Sequence, residues 1–132
     1  MDGLFLDRHG AWFHDGDPVR HARLAALLHR SIARDPAGHL IVTTGRDAQP
    51  FVAEDAPLLV RTLDGDDLVL SNETRAPLGD RPLYIDDDGR VRVAVGAFWA
   101  LLSRSATQIV IEQKGPERLQ PGLRCDWSQP PM

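Results

Sequence analysis

Two adjacent carboxylates are the first feature of the sequence that suggests chemistry. Glu54 and Asp55 stand at the end of a predicted strand, just before Pro57. Two carboxylates that face one cleft can act as an acid/base pair, because each raises the pKa of the other. Neighbouring strand residues point to opposite faces, however. The sequence therefore favours the alternative, in which Asp55 caps the turn into Ala56–Pro57 and Glu54 is solvated.

Aromatic and basic residues suggest recognition of a ligand instead. Trp12 and His14 share one face of a predicted hairpin, where an exposed indole beside an imidazole could stack on a base. The sequence favours the alternative, in which Trp12 lies in the core or at the seam. Arginines on the first predicted helix could bind phosphate or form a solvated basic face. These residues are Arg20, Arg23, Arg30 and Arg34.

Other constellations predict structure rather than catalysis. The acidic runs at 64–67 and 86–88 lack the alternate spacing of a calcium loop and are typical of hairpin turns. His9 with His14, and His21 with His29, have no further ligands at zinc spacing. Cys125 has no neighbouring His, and no nucleophile elbow, phosphate loop or dinucleotide fingerprint is present. We therefore predict no enzyme activity, no metal and no cofactor.

Length and charge narrow the function classes. The chain has 132 residues, enough for one compact body, and a net charge of -4. An acidic protein is not expected to bind nucleic acid or an anionic membrane broadly. With one cysteine and no long apolar run, we expect a cytoplasmic protein.

Hydrophobic patterning predicts a mixture of strands and helices. A helix is expected from Pro18 to about Ala33, with Leu24, Leu27, Leu28 and Ile32 as its buried stripe. A second helix is expected from Gly96, and the tail after it is expected to be irregular. The predicted strands are 4–7, 11–14, 40–44, 51–54, 58–63, 68–70, 83–86, 90–95 and 108–112.

Internal repetition organises these elements. Leu4-Phe5-Leu6-Asp7-Arg8-His9-Gly10 and Leu83-Tyr84-Ile85-Asp86-Asp87-Asp88-Gly89 share one pattern. Each is followed by a second Gly, a predicted helix and a β-branched segment. We predict a duplication, with an N-terminal unit at 1–55 and a C-terminal unit at 56–132. Two half-buried sheets need a partner for their apolar faces, so a cleft is expected where the units meet.

These motifs resemble a known family. The segments 7–19 (DRHGAWFHDGDPV), 40–43 (LIVT) and 52–57 (VAEDAP) are similar to bacterial proteins called domain of unknown function 1285. The resemblance covers most of residues 4–112. It implies a duplicated α+β fold with mostly antiparallel sheets, whose C-terminal half is similar to pleckstrin-homology domains.

The resemblance also implies a function and its residues. It implies a non-catalytic protein that binds a nucleotide-like ligand between its halves in bacterial signal transduction. Trp12 or Tyr84 would then stack on the base, with His14 beside it, and Arg46 or Arg92 would bind phosphate. Glu54, Asp55 or Asn72 would bind the sugar or base edges. The alternative is a protein-interaction module that uses exposed edge strands.

Overall fold

Two β-sheets and two α-helices make up the fold, which confirms the predicted α+β class. The computed structural model describes residues 3–122 and 125–131. The first sheet contains β1 (Leu4–Leu6), β2 (Trp12–His14), β3 (Asp17–Pro18), β4 (Ile32–Arg34), β5 (Leu40–Thr44) and β6 (Asp47–Ala53). The second contains β7 (Leu58–Asp64), β8 (Asp67–Leu70), β9 (Arg75–Pro77), β10 (Leu83–Ile85), β11 (Val91–Val95), β12 (Phe98–Leu102) and β13 (Leu119–Pro121). Helix α1 spans Ala22–Arg30 and α2 spans Arg104–Lys114.

The two sheets share an arrangement of four strands. The first has the order β3-β2-β1-β6-β5-β4 and the second β13-β10-β11-β12-β7-β8-β9. In each, a three-stranded antiparallel meander comes before a helix. A strand that follows the helix then pairs in parallel with the first meander strand, as β6 does with β1 and β13 with β10. The remaining pairs are antiparallel, except for the parallel pair of β12 and β7.

Three hairpins use the same Asp-x-x-Gly turn. The carboxylates of Asp7, Asp35 and Asp86 each accept hydrogen bonds from the amides two and four residues later, at 2.8–2.9 Å. The glycine at the fourth position has a positive φ, which is 87° at Gly10 and 81° at Gly89. The two hairpins of the sequence repeat therefore have the same turn, and the turn at Asp35 is a third copy.

A single apolar cluster joins the two sheets. It includes Leu6 and Val42 of the first sheet together with Leu68 and Val93 of the second. Helix α1 contributes Leu28, whereas α2 contributes Ala106 and Val110. Each helix therefore covers the core with one narrow stripe. In the described ranges, neither helix is both long and apolar enough to cross a bilayer.

The segment after Gly96 contradicts the predicted secondary structure. The expected helix carrying Phe98, Leu101 and Leu102 is strand β12. Phe98, Ala100 and Leu102 belong to the main core, whereas Trp99 and Leu101 are buried in a smaller apolar cluster on the other face of the sheet. The expected strand 108–112 lies inside α2. Ser103 explains where this helix begins, because its hydroxyl accepts the Ala106 amide at 3.0 Å. The tail predicted as irregular contributes a 3₁₀ turn, Pro116–Arg118, and strand β13.

The first helix is shorter than predicted. Asp17 and Pro18 form β3 opposite β2 instead of starting the helix, and His21 caps α1. The predicted buried stripe was wrong in part, because Leu24 and Leu27 are 45 % and 39 % exposed. Ile32 is buried, but it belongs to β4.

A buried histidine joins α1 to the first hairpin. His29 Nε2 donates to the Gly10 carbonyl at 3.1 Å, and its ring packs edge-on against Trp12. Nδ1 is buried without a hydrogen-bond partner in the described structure. Burial, helped by the positive charge of Arg61, lowers the pKa of His29 below its ordinary value of 6.5. The folded protein therefore holds this ring neutral.

This histidine predicts a loss of stability in mild acid. The unfolded chain binds a proton to His29 more readily than the folded chain, so the stabilisation is complete above about pH 6.5 and is lost as the pH falls below that value. We expect the free energy of unfolding, measured with urea, to decline between about pH 7 and pH 5. His29→Gln keeps a donor for Gly10 and should flatten this decline, whereas the exposed control His14→Gln should not. Equal slopes in wild type and His29→Gln would contradict the assignment.

Candidate functional site

The outer face of the second sheet carries the candidate site. Tyr84, Arg92, Leu101 and Leu59 lie opposite one another on β10, β11, β12 and β7 and form one cross-strand row. Adjacent strands are about 5 Å apart, so neighbours in this row are in contact range. The row runs from an aromatic end at Tyr84 to an apolar end at Leu59.

Arg92 is a buried charge at the centre of this row. It is only 3 % exposed. Its Nε and Nη2 donate to the two carboxylate oxygens of Asp55 at 2.9 and 2.7 Å, and its Nη1 donates to Asp86 at 2.9 Å. A planar guanidinium fits such a fork geometry better than any other side chain. The three hydrogen bonds therefore fix the plane of Arg92.

The pKa values of this cluster follow from the same contacts. Burial disfavours the charged guanidinium, but the hydrogen bonds that it donates to Asp55 and Asp86 outweigh this effect and raise the pKa of Arg92. Burial also disfavours the charge of Asp86, yet Arg92 and the amides of Arg90 and Asp88 lower the pKa of that carboxyl. Arg92 and Asp86 are therefore both charged at neutral pH.

Aromatic rings cover the Arg92 side of the row. The Trp127 ring lies over the Arg92 guanidinium, 4.6 Å from the ring centre, and meets Trp99 edge-on at 4.8 Å. Tyr84 also meets Trp99 edge-on, with the ring centres 5.9 Å apart. Trp127 comes from the C-terminal strap, which we define as residues 126–131. Ser128 of this strap accepts a hydrogen bond from Arg34 of the first sheet at 3.0 Å.

The Leu59 end of the row is open and forms a groove of about 520 Å³. This interface groove lies between the turn of the first hairpin, the turn of the β10–β11 hairpin and the first turns of α2. Leu59, Leu101 and Leu102 provide its apolar lining. Its polar lining is Arg8, His9, Asp88, Arg90, Ser103, Arg104, Thr107 and Gln108, with the backbone of Gly89.

The charge of the interface groove is positive in a protein whose net charge is -4. Three arginines line it, against the single carboxylate of Asp88. Arg90 lies 3.5 Å from Asp88. Within residues 3–122 and 125–131, neither Arg8 nor Arg104 makes an ion pair. The amides of Arg104 and Ser105, the first two of α2, come before the Ala106 amide that the Ser103 cap binds and have no intrahelical acceptor. The groove therefore suits an anion.

The turn Asp7–Gly10 holds Arg8 and His9 at the groove. The Arg8 amide donates to Glu54 at 2.9 Å, which ties the turn to the end of β6. Gly10 has a φ of 87°, and a Cβ there would lie 2.7 Å from Leu59 Cδ1. The turn of the first half therefore rests directly on the groove lining of the second half.

Gly10→Ala should show how closely the halves approach. A side chain at this φ costs about 1–2 kcal/mol of stability, and in addition Leu59 must move. Gly16→Ala is a matched control, because Gly16 has the same φ of 87° and nothing within 4 Å. We expect Gly10→Ala to lower the melting temperature more than Gly16→Ala, and Leu59→Ala to reduce the difference. Equal effects of the two glycine variants would contradict this contact.

The structure brings together three of the eight residues that the sequence analysis named for a ligand. Asp55, Tyr84 and Arg92 meet in the Arg92 cluster. Asp55 also accepts the Ala56 amide at 2.7 Å, which confirms the predicted turn cap. Glu54 is exposed and binds the Arg8 amide, so the two carboxylates have different partners.

None of the eight predicted residues lines the interface groove, and besides Glu54 four of them also lie outside the Arg92 cluster. Trp12 is 1 % exposed and packs against Phe51 and His29. A ligand therefore cannot stack on its ring in this conformation. His14 is exposed beside Asp15. Arg46 is exposed in the β5–β6 turn, and Asn72 accepts hydrogen bonds from Thr74 in the β8–β9 turn.

Sequence reasoning missed the cations of the groove. Arg8 lies inside the first repeated turn and Arg90 directly follows the second. Their equivalent placement beside the two turns was the signal in the sequence that could have identified them. Arg104 was hidden because residues 96–112 were assigned the wrong elements. Within the described ranges, no three His, Cys, Asp or Glu side chains come together as metal ligands would.

Comparison with known proteins supports the fold. A structure of a DUF1285 family protein from Silicibacter pomeroyi matches with a TM-score of 0.66 and 17% identity, covering 84% of this chain and 68% of that one. A second, from Shewanella baltica, matches with a TM-score of 0.61 and 17% identity, covering 85% and 92%. No family model matches the sequence, and no curated protein matches it. The chain therefore has the fold of DUF1285 family proteins, in agreement with the resemblance of its motifs.

Proposed function

We propose that the interface groove binds a small nucleotide-like anion and that this binding, without catalysis, serves bacterial signal transduction. The observation that carries the proposal is the combination of Arg8, Arg90 and Arg104 with the apolar side chains of Leu59 and Leu101. Arginines bind phosphate oxygens in a bidentate manner. A leucine lining accepts the face of a base or sugar. A nucleotide-like molecule has both parts.

Each side of the groove has a role in this proposal. Arg8 and Arg104 hold the phosphate, assisted by the first amides of α2. Thr107 and Gln108 offer hydrogen bonds to sugar hydroxyls or base edges. Arg92, Asp55 and Tyr84 lie on the same sheet face and support Leu101 from its far side. Among the described residues that line the groove, Asp88 is the only one with a carboxylate, which fits binding without acid/base chemistry.

A duplication accounts for why the groove lies where it does. Its support is the shared meander, helix and parallel strand of the two sheets, together with the identical turns at Asp7 and Asp86. In the proposal these turns flank the groove as equivalent parts of two units. The likeness of the C-terminal unit to pleckstrin-homology domains rests on a mostly antiparallel sheet followed by the packed helix α2.

A thermal-shift screen tests the proposed function. Mononucleotides and cyclic nucleotides should raise the melting temperature by an amount set by their concentration relative to Kd. Inorganic phosphate and adenosine serve as separate arms, and each should give a smaller shift than adenosine monophosphate. A flat response across the whole panel would contradict a nucleotide-like ligand.

A protein-interaction module is the second candidate. Its support is exposed apolar surface at Leu24 and Leu27 of α1 and at Val52, which is 59 % exposed. Interaction through the sheet edges is less favoured by the geometry. The edge strands β3, β4, β9 and β13 have two or three residues, and all of them except β4 contain a proline. Proline and short length both prevent the addition of a partner strand.

A further inference from the structure

Trp127 occupies a cleft that has the features of a binding site for an aromatic ring. Its indole lies against the guanidinium of Arg92 and the edge of Trp99, yet it remains partly exposed. The cleft itself belongs to the second sheet, whereas the ring comes from the C-terminal strap. The ring and the cleft are therefore separate structural parts.

The cleft is rigid because of what lies behind it. Asp55 and Asp86 hold the guanidinium with three hydrogen bonds of 2.7–2.9 Å. A guanidinium whose plane is fixed loses little entropy when a ring stacks on it. Trp99 is buried and is fixed by Tyr84. A cation–π site of this kind can accept different aromatic rings, since any electron-rich ring provides the required face.

The cleft adjoins the interface groove directly. Leu101 lines the groove and pairs with Arg92 on the neighbouring strand. Leu101 also packs in the same small apolar cluster as Trp99 and Trp127. A ligand lying on Leu101 with its phosphate toward Arg104 can thus place a planar ring at Arg92, provided that Trp127 moves away.

We propose that the Arg92–Trp99 cleft is a binding site for a planar aromatic ring, that Trp127 fills it in cis, and that the base of a groove ligand takes its place. The first two parts stand on the contacts of the cleft alone, whereas the third rests on the proposed function of the groove. Trp127 is then a competitor of the ligand. Its removal should strengthen binding, which is the opposite of what a supporting side chain would do.

Chemical rescue tests the cleft without a nucleotide. We expect Trp127→Ala to lower the melting temperature and free indole to restore part of it, because indole binds the emptied cleft in the native state only. Phe13→Ala is the matched control, since Phe13 is a partly exposed ring on the other sheet whose contact is with Phe5. Trp127→Leu serves as a second variant that keeps apolar contact but lacks the ring. An indole response no greater than that of wild type and Phe13→Ala would overturn the proposal.

Titration with adenosine monophosphate tests the competition. The proposal predicts that Trp127→Ala and Trp127→Leu bind this nucleotide on the order of tenfold more tightly than wild type, because no indole ring has to leave the cleft before the base enters it. If wild type binds adenosine monophosphate and both variants bind it with the same or a lower affinity, the proposed displacement of Trp127 is wrong. Indole rescue without nucleotide binding to any of these proteins would support the cleft and contradict the proposed function of the groove.

Discussion

Replacement of Arg92 by Met is expected to lower the free energy of unfolding by about 3–5 kcal/mol, because it leaves two partly buried carboxylates without their partner. Asp55 and Asp86 would lose three charge-assisted hydrogen bonds, and Trp127 would lose its cation–π contact. Both carboxylates retain some contact with solvent, so the effect should lie toward the lower end of this range. Urea unfolding at pH 7 measures it directly.

Two variants separate the charge cluster from a general effect of arginine removal. Arg90→Met on the same hairpin removes a partly exposed arginine and should cost less than about 1 kcal/mol. Replacing the whole cluster, with Asp55→Asn and Asp86→Asn added to Arg92→Met, should recover part of the loss, since no unpaired charge remains. A loss in Arg92→Met no larger than that in Arg90→Met would contradict the account.

The same cluster should make the free energy of unfolding fall at acidic pH. Because the pKa of Asp86 is lowered in the folded state, its contribution is present above about pH 4 and disappears as the pH falls through the lowered value. Asp86→Asn keeps the turn hydrogen bonds through its side-chain oxygen but has no charge. It should therefore be less stable than wild type at pH 7 and should lose less stability between pH 5 and pH 3.

The second large effect concerns the ligand. Replacement of Arg8 and Arg104 together by Gln should weaken the binding of adenosine monophosphate by about 100-fold or more, since each charge-assisted contact contributes about 1.5–3 kcal/mol. Neither arginine makes an ion pair within the described ranges, so the folded protein should keep its stability. Isothermal titration calorimetry measures the affinity, and thermal unfolding checks the fold.

A matched pair of arginines controls for net charge. Arg20 and Arg23 are exposed just before and at the start of α1, and they do not line the groove. Arg20→Gln with Arg23→Gln changes the net charge by the same amount and should leave the affinity within a factor of about two. Equal weakening in both double variants would indicate a general electrostatic effect rather than a site.

Local features of the fold were predictable from the sequence, because they depend on neighbouring residues. The turns at Asp7 and Asp86 follow from an Asp whose side chain binds its own turn and a Gly that takes a positive φ. Residues 96–112 were assigned the wrong elements for an equally local reason. Ile109, Val110 and Ile111 are β-branched and favour a strand, but the cap at Ser103 and packing of Ala106 and Val110 on the core override that preference.

The site was less predictable because it is assembled from distant parts of the chain. Arg92 and Asp55 are 37 residues apart, and nothing in either segment indicates that they pair. The burial of Trp12 agrees with the interpretation that the hairpin pattern favoured, but that pattern could not show that Phe51 and His29 pack against its ring. Trp127 stood in a proline-rich tail without periodicity. The contact between Trp127 and Arg92 therefore depends on tertiary packing that the local sequence does not indicate.

The measurement that tests the central claim most directly is a heteronuclear NMR titration of the protein with adenosine monophosphate. We predict that amide shifts change at residues 8–10, 88–90 and 103–108 and not on the outer face of the first sheet around Val52. No shift changes at millimolar nucleotide, or changes confined to α1 and the first sheet, would contradict the claim that the groove between the halves binds a nucleotide-like anion.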